Sequence, residues 1–152
     1  MEFSDVPWYG NWTLWSMVAG WTCAQGIKFL IYLVKHRKID FTLFVSTGGM
    51  PSAHTASVCG LATSVGIRSG FGSPVFALAA GFAMVVMFDA QSVRRAAGNQ
   101  ARLLNQIVSE LFKEHHLSQQ KLAELLGHTR LEVLMGMFVG IFASLAVHAF
   151  AG

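Results

Sequence analysis

Charge is what this sequence has least of. Of its 152 residues only 12% are Asp, Glu, Lys or Arg, while 53% are hydrophobic. A soluble domain carries about twice that share of charge, so a water-facing shell over the whole surface is excluded. The mean hydropathy of +0.49 is that of a membrane protein. Cysteine is nearly absent as well. Cys23 and Cys59 are the only two, and each lies inside an apolar stretch. That excludes a disulfide framework and a zinc knuckle, and both are expected as buried thiols. The first ten residues hold Glu2 and Asp5 but no Lys or Arg, unlike a secretory signal peptide, so the N-terminus is expected to be kept.

The sequence does have long apolar runs. They predict an all-α integral membrane bundle in one domain, 1–152, with about four spans near 11–34, 52–67, 75–89 and 131–150. Trp8, Tyr9, Trp12 and Trp15 crowd the entry to the first run, as in an aromatic belt at a bilayer interface. Within that run stands Lys28. An intramembrane lysine faces a partner or a wet cavity unless it snorkels to the interface, and both readings are open here. The second run is short for a full crossing, which suggests tilting, local thinning or burial among its neighbours. Residues 91–126 differ in character. Arg94, Arg95, Arg102, Lys113 and Lys121 are set among Leu, Ile, Val and Ala, which predicts an amphipathic cytoplasmic segment of two helices broken near Leu117, with Ser118 as the second N-cap. His148, near the outer end of the last run, is expected at the interface.

Loop charges set the orientation. Lys35, Arg37, Lys38, Arg94, Arg95, Arg102, Lys113, Lys121 and Arg130 fall on one side of these spans and Arg68 on the other. The positive-inside rule then places both termini outside the cytoplasm of a cell inner (plasma) membrane. It also brings His54, Asp89, Arg94, Arg95 and His128 to one cytoplasmic face.

Residue types on that face point to phosphate chemistry. In the stretch Gly48-Gly49-Met50-Pro51-Ser52-Ala53-His54, two glycines let the backbone approach an anion, and Pro51 suits a first helical turn. Ser52, Thr55 and the positive end of the helix dipole favour an oxyanion, with His54 beside it as a proton donor. A plain helix start reads the same way. His128 and Glu132 are four residues apart at the start of the last helix and share a face. A carboxylate so placed orients an imidazole that can attack phosphorus, and the resulting phosphohistidine is hydrolysed in a second, easier step. Lys28, Arg94, Arg95 and the turn at Gly48 and Gly49 can surround the equatorial oxygens. Asp89 is expected to support the site by pairing with a cation. No cofactor is expected. No compact ligand motif such as His-Glu-x-x-His is present, so no metal is expected either.

Three ordered stretches carry a resemblance. Gly48 to Ala56, then Asp89-Ala90 with Val93-Arg94-Arg95 and Gly98, then Leu126-Gly127-His128-Thr129 with Glu132-Val133, resemble the divergent bacterial and plastid branch of the type 2 phosphatidic acid phosphatase and vanadium haloperoxidase superfamily. The resemblance implies His128 as nucleophile, Glu132 as the carboxylate that orients it and His54 as the acid for the leaving group. Lys28 is followed at the superfamily's spacing by Lys35 and His36 in place of Arg-Pro. Lys121 and Leu122 hold the places of its Ser-Arg. Arg94 and Arg95 are the substitutes for that oxyanion-binding arginine. Ala53 replaces a glycine and Glu132 an aspartate.

Together these readings imply a metal-independent lipid phosphatase, acting on a phosphomonoester or diphosphate of the phosphatidylglycerophosphate, phosphatidate or isoprenyl phosphate type. The other reading is a non-catalytic membrane protein that binds anionic lipid or a protein partner through its basic cytoplasmic segment. The partners expected are a lipid phosphate substrate and the bilayer, with no nucleic acid. Gly136-x-x-x-Gly140 is compatible with a homodimer and equally with close packing inside one chain.

Overall fold

The fold is seen in a computed structural model, which describes residues 7–37, 49–111 and 128–151. Every element among them is helical. A short 3₁₀ turn, Trp8–Gly10, leads into α1, Trp12–His36; α2 is Ala53–Ser69, α3 is Pro74–Phe88, α4 is Arg94–Leu111 and α5 is Arg130–Ala151. A π-helical turn, Asp89–Val93, joins α3 to α4. Gly48, Lys113, His115, His116, Leu117, Ser118 and Lys121 lie outside the described residues, as does the predicted break between two cytoplasmic helices.

The helix ends follow local chemistry. Asn11 caps α1 by accepting from the Leu14 N–H at 3.1 Å. Arg37, left-handed at φ 51°, closes it by donating to the Leu33 carbonyl at 2.8 Å. At 25 residues, α1 is about 37 Å long, more than the ~30 Å hydrocarbon core. Ser73 caps α3, with Pro74 in its first turn, where no N–H is needed. Pro51, by contrast, stands before the cap of α2, since Ser52 is the N-cap and the helix opens at Ala53. The proline therefore shapes the approach to the helix and is not part of its first turn.

Three helical stretches are long and apolar enough to cross a bilayer: Trp12–His36, Pro74–Ser109 and Arg130–Phe150. At 17 residues, α2 is shorter. It is the central helix, with α1, α5 and α3 packed around it. Its buried positions are small or hydroxylic, among them Ala53, Thr55, Ala56, Cys59, Gly60 and Ser64. Shielded from lipid by its neighbours, α2 needs no apolar exterior. The outer helices turn large apolar side chains outward instead, including Leu30, Leu78, Val85 and Phe142. Exposed apolar surface and a small-residue interior are what a lipid solvent requires.

Contact pairs fix the directions. Thr13 meets Ser64 and Ser16 meets Gly60, so α1 and α2 are antiparallel. Ser52 meets Gly136 and Ser64 meets His148, so α2 and α5 are parallel. Glycines permit this approach. A Cβ on Gly20 would come within 2.5 Å of the Ala56 carbonyl oxygen, and one on Gly136 within 2.5 Å of the Ser52 carbonyl oxygen. Gly136 and Gly140 both face α2, so these two glycines serve packing inside the chain.

Two expectations need correction. Cys23 is exposed, while Cys59 is buried. In a lipid-facing helix an apolar run does not distinguish the face that meets protein from the face that meets acyl chains. His148 is not an interfacial side chain alone: its Nε2 lies 2.8 Å from Ser64 Oγ, which is in turn 3.0 Å from Thr13 Oγ1. This fully buried serine joins α1, α2 and α5 at the end remote from His128. Replacing Ser64 by alanine is expected to destabilise the bundle by about 1 kcal/mol, the scale of an interhelical hydrogen bond in a membrane, seen as a lower unfolding temperature in detergent.

Candidate active site

At the other end of the bundle the starts of α2 and α5 and the end of α3 are tied together through backbone. The Ser52 N–H donates to the Glu132 carbonyl at 3.0 Å, and the His128 N–H donates to the Ala90 carbonyl at 3.0 Å. Three segments far apart in sequence are thus held by main-chain bonds, which replacement of a side chain leaves in place unless it introduces proline at Ser52 or His128.

The start of α5 is built around one carboxylate. Thr129 precedes the helix, and its N–H donates to Glu132 Oε2 at 3.0 Å. The Glu132 N–H donates back to Thr129 Oγ1 at 3.3 Å. This is a capping box. The same Oε2 lies 3.0 Å from His128 Nδ1. One oxygen therefore fixes both the helix start and the imidazole, and rotation of Glu132 would break both bonds. With Nδ1–H donated to the carboxylate, Nε2 carries the lone pair. His128 is buried, at 6% exposure, so that nitrogen is held in a defined place.

Lys28 reaches the same end from α1. Its side chain is 7% exposed, so it does not snorkel. One turn before it, Ala24 packs with Ala53 and Ala56, which sets Lys28 beside the start of α2. Gly49, in the left-handed region at φ 83°, borders the lysine stem, and a Cβ there would be 3.7 Å from the Cγ and Cδ of Lys28. A buried lysine, a carboxylate and an imidazole thus stand at the same end of the bundle.

Ser52 and Thr55 are fully buried. The Thr55 hydroxyl lies 3.1 Å from Ser52 Oγ, which also accepts from the Thr55 N–H at 3.4 Å. Both hydroxyls are engaged in starting α2. His54, in the same first turn, is exposed. Asp89 is half-buried at the head of the π turn, next to the carbonyl that receives the His128 N–H. Arg94 and Arg95 open α4, but their side chains lie outside the described residues. The structure therefore brings together His128, Glu132, Lys28, Gly49 and Ser52, with His54 and Asp89 on adjoining turns. Among the described residues no group of three or more His, Cys, Asp or Glu is placed to hold a metal ion.

Sequence reasoning missed Thr129 and the Ala90 carbonyl. The first had a signal, since Thr129-Arg-Leu-Glu132 has capping-box spacing. The second had none, because a backbone carbonyl acquires its partner only through the fold.

The chain is similar to known proteins over most of its length. A family model described as "Divergent PAP2 family" matches residues 9–143, which include Lys28, Gly49, Ser52, His54, Asp89, His128 and Glu132. An uncharacterized membrane protein, YuiD of Bacillus subtilis (strain 168), is 40% identical over 151 residues, covering 92% of this chain and 96% of that protein. No solved structure matches.

Proposed function

Since this membrane protein belongs to the Divergent PAP2 family, we propose that it hydrolyses a lipid phosphomonoester or diphosphate through a phosphohistidine at His128, at the cytoplasmic face of the cell inner membrane. The observation that carries this reading is the bond between His128 Nδ1 and Glu132 Oε2. It leaves Nε2 as a fixed nucleophile at the end of the bundle that holds the buried Lys28.

In the first step Nε2 attacks phosphorus and the bond to the leaving oxygen breaks. His54 protonates that oxygen. The imidazole becomes cationic as the N–P bond forms, and Glu132 stabilises that charge through Nδ1–H. Lys28, the Gly49 backbone and the arginines that open α4 neutralise the equatorial oxygens. In the second step His54, now neutral, takes a proton from water, which displaces phosphate from Nε2 and restores the imidazole.

Purified protein in detergent, given a panel of lipid phosphates with chelator present, is expected to release phosphate, and vanadate, a mimic of the five-coordinate transition state, is expected to stop it. Release abolished by chelator would count against the metal-independent mechanism. His54→Ala is expected to lower turnover by about 10²- to 10⁴-fold, the range for a general acid. The loss should be smallest for esters with good leaving groups. An equal loss for all leaving groups would contradict the acid role.

One observation favours the non-catalytic reading. Leu103, Leu104 and Ile107 of α4 are exposed beside Arg102, a pattern that suits a lipid surface. If lipid binding persists without turnover of any substrate, and depends on Arg102 and not on His128, that reading replaces the enzymatic one.

A further inference from the structure

A groove of about 360 Å³ opens between the cytoplasmic end of α3 and the start of α5. Met84, Met87 and Phe88 form one wall and Leu134 and Met137 the other, with Gln91 and Arg130 at the mouth. It exists because α3 and α5 both pack on α2, while the end of α3 is held to the start of α5 by the bond between His128 N–H and the Ala90 carbonyl. Below that tie the two helices part. Arg130 is exposed and has no hydrogen bond or ion pair among the described residues.

The groove differs chemically from the site beside it. Along α5, Arg130, Val133, Leu134 and Met137 form one face, spaced at three and four residues, while Glu132, Gly136 and Gly140 form another that meets α2. The two faces share the first turn of the helix, so the mouth of the groove and His128 flank the same helix start. From Arg130 to Met137, and from Gln91 to Met84, the walls run about 10 Å along each helix. A volume of 360 Å³ over that length is much narrower than a helix, whose diameter is about 10–12 Å. A slot of this width admits an alkyl chain along its length. Methionine walls adapt to a flexible chain. An apolar slot with a cation, Arg130, at its interfacial end complements an amphiphile with an anionic head.

Resting on the phosphatase reading, we propose that this groove seats the head-proximal part of an alkyl chain of an anionic lipid phosphate, that Arg130 binds the headgroup, and that the substrate enters laterally from the bilayer between α3 and α5.

The test uses the full chain in phosphatidylcholine vesicles containing a phosphatidic acid with a diazirine near the glycerol end of one chain. Photolysis is expected to concentrate label on Met84, Met87, Leu134 and Met137. Unlabelled phosphatidic acid should compete, and added phosphatidylcholine should not. Arg130→Gln is expected to reduce labelling about fivefold, the scale of one cation near an anionic lipid. His128→Ala should place label on the same four residues, because binding needs no turnover. Label spread evenly over lipid-facing residues such as Trp15, Leu30, Leu78 and Phe142 would overturn the groove assignment, even where phosphate release is intact. Groove labelling without phosphate release would uphold the groove and count against the phosphatase reading. Equal competition by phosphatidylcholine, or no effect of Arg130→Gln, would overturn the headgroup role.

Discussion

Replacing His128 by alanine is expected to reduce phosphate release by at least about 10⁴-fold, since loss of a nucleophile in covalent catalysis removes nearly the whole chemical advantage. The variant should still insert and fold. The bond from residue 128 to the Ala90 carbonyl is made by backbone and survives the substitution, and Glu132 retains its bond to the Thr129 N–H. Because Glu132 acts on the reaction through His128, adding Glu132→Gln to His128→Ala should lower the residual rate no further. Groups that work as one unit are strongly non-additive. Substantial release by His128→Ala would remove the nucleophile assignment. A further large fall in the double variant would mean that Glu132 has a separate chemical task.

The second large effect concerns the fold. Gly140→Ala is expected to destabilise the bundle by more than about 3 kcal/mol, beyond the usual range for overpacking. The added Cβ would strike the backbone of α2 at the Ala56 carbonyl and the Gly60 nitrogen. Backbone atoms in a close-packed helix pair cannot rotate aside as a side chain can. The helices would have to separate, and the Ser52 to Glu132 bond, about two turns earlier on α5, would be pulled with them. Activity and unfolding temperature should therefore fall together. Gly81→Ala is the control, since nothing lies within 4 Å of a Cβ at that position. It should leave stability unchanged or slightly raised, as alanine favours helix. If Gly140→Ala unfolded at the wild-type temperature, the contact between α2 and α5 would be misplaced.

The sequence made some of this legible and not the rest, for physical reasons. The helices were readable because lipid demands long apolar runs, and α1, α3 and α5 have them. The central helix was legible as a helix near 52–67 and lies at Ala53–Ser69. Its place was left open between tilting, thinning and burial, since its threonines, serines and glycines look marginal for a span until α1, α3 and α5 are seen to cover it. The bond between His128 and Glu132 could be inferred because i and i+4 share a face on any helix. The bond between Ser64 and His148 spans 84 residues, and no local pattern encodes such a separation. Whether Lys28 snorkels or is buried stayed open, and the fold decides it: the side chain is buried, with its stem beside Gly49. Arg130 read as one more inside-positive loop charge, and only the gap between α3 and α5 gives it a groove to guard.

The account stands most directly on the phosphorylated state of one nitrogen. A lipid phosphate carrying a radiolabelled phosphoryl group, mixed with the protein and quenched in alkali within a turnover, should leave label on the peptide containing His128. A phosphohistidine survives alkali and is lost in acid, and neither a phosphoserine nor an acyl phosphate behaves that way. The label should be absent from His128→Ala. Turnover without any covalent label, or label on another residue, would contradict the account.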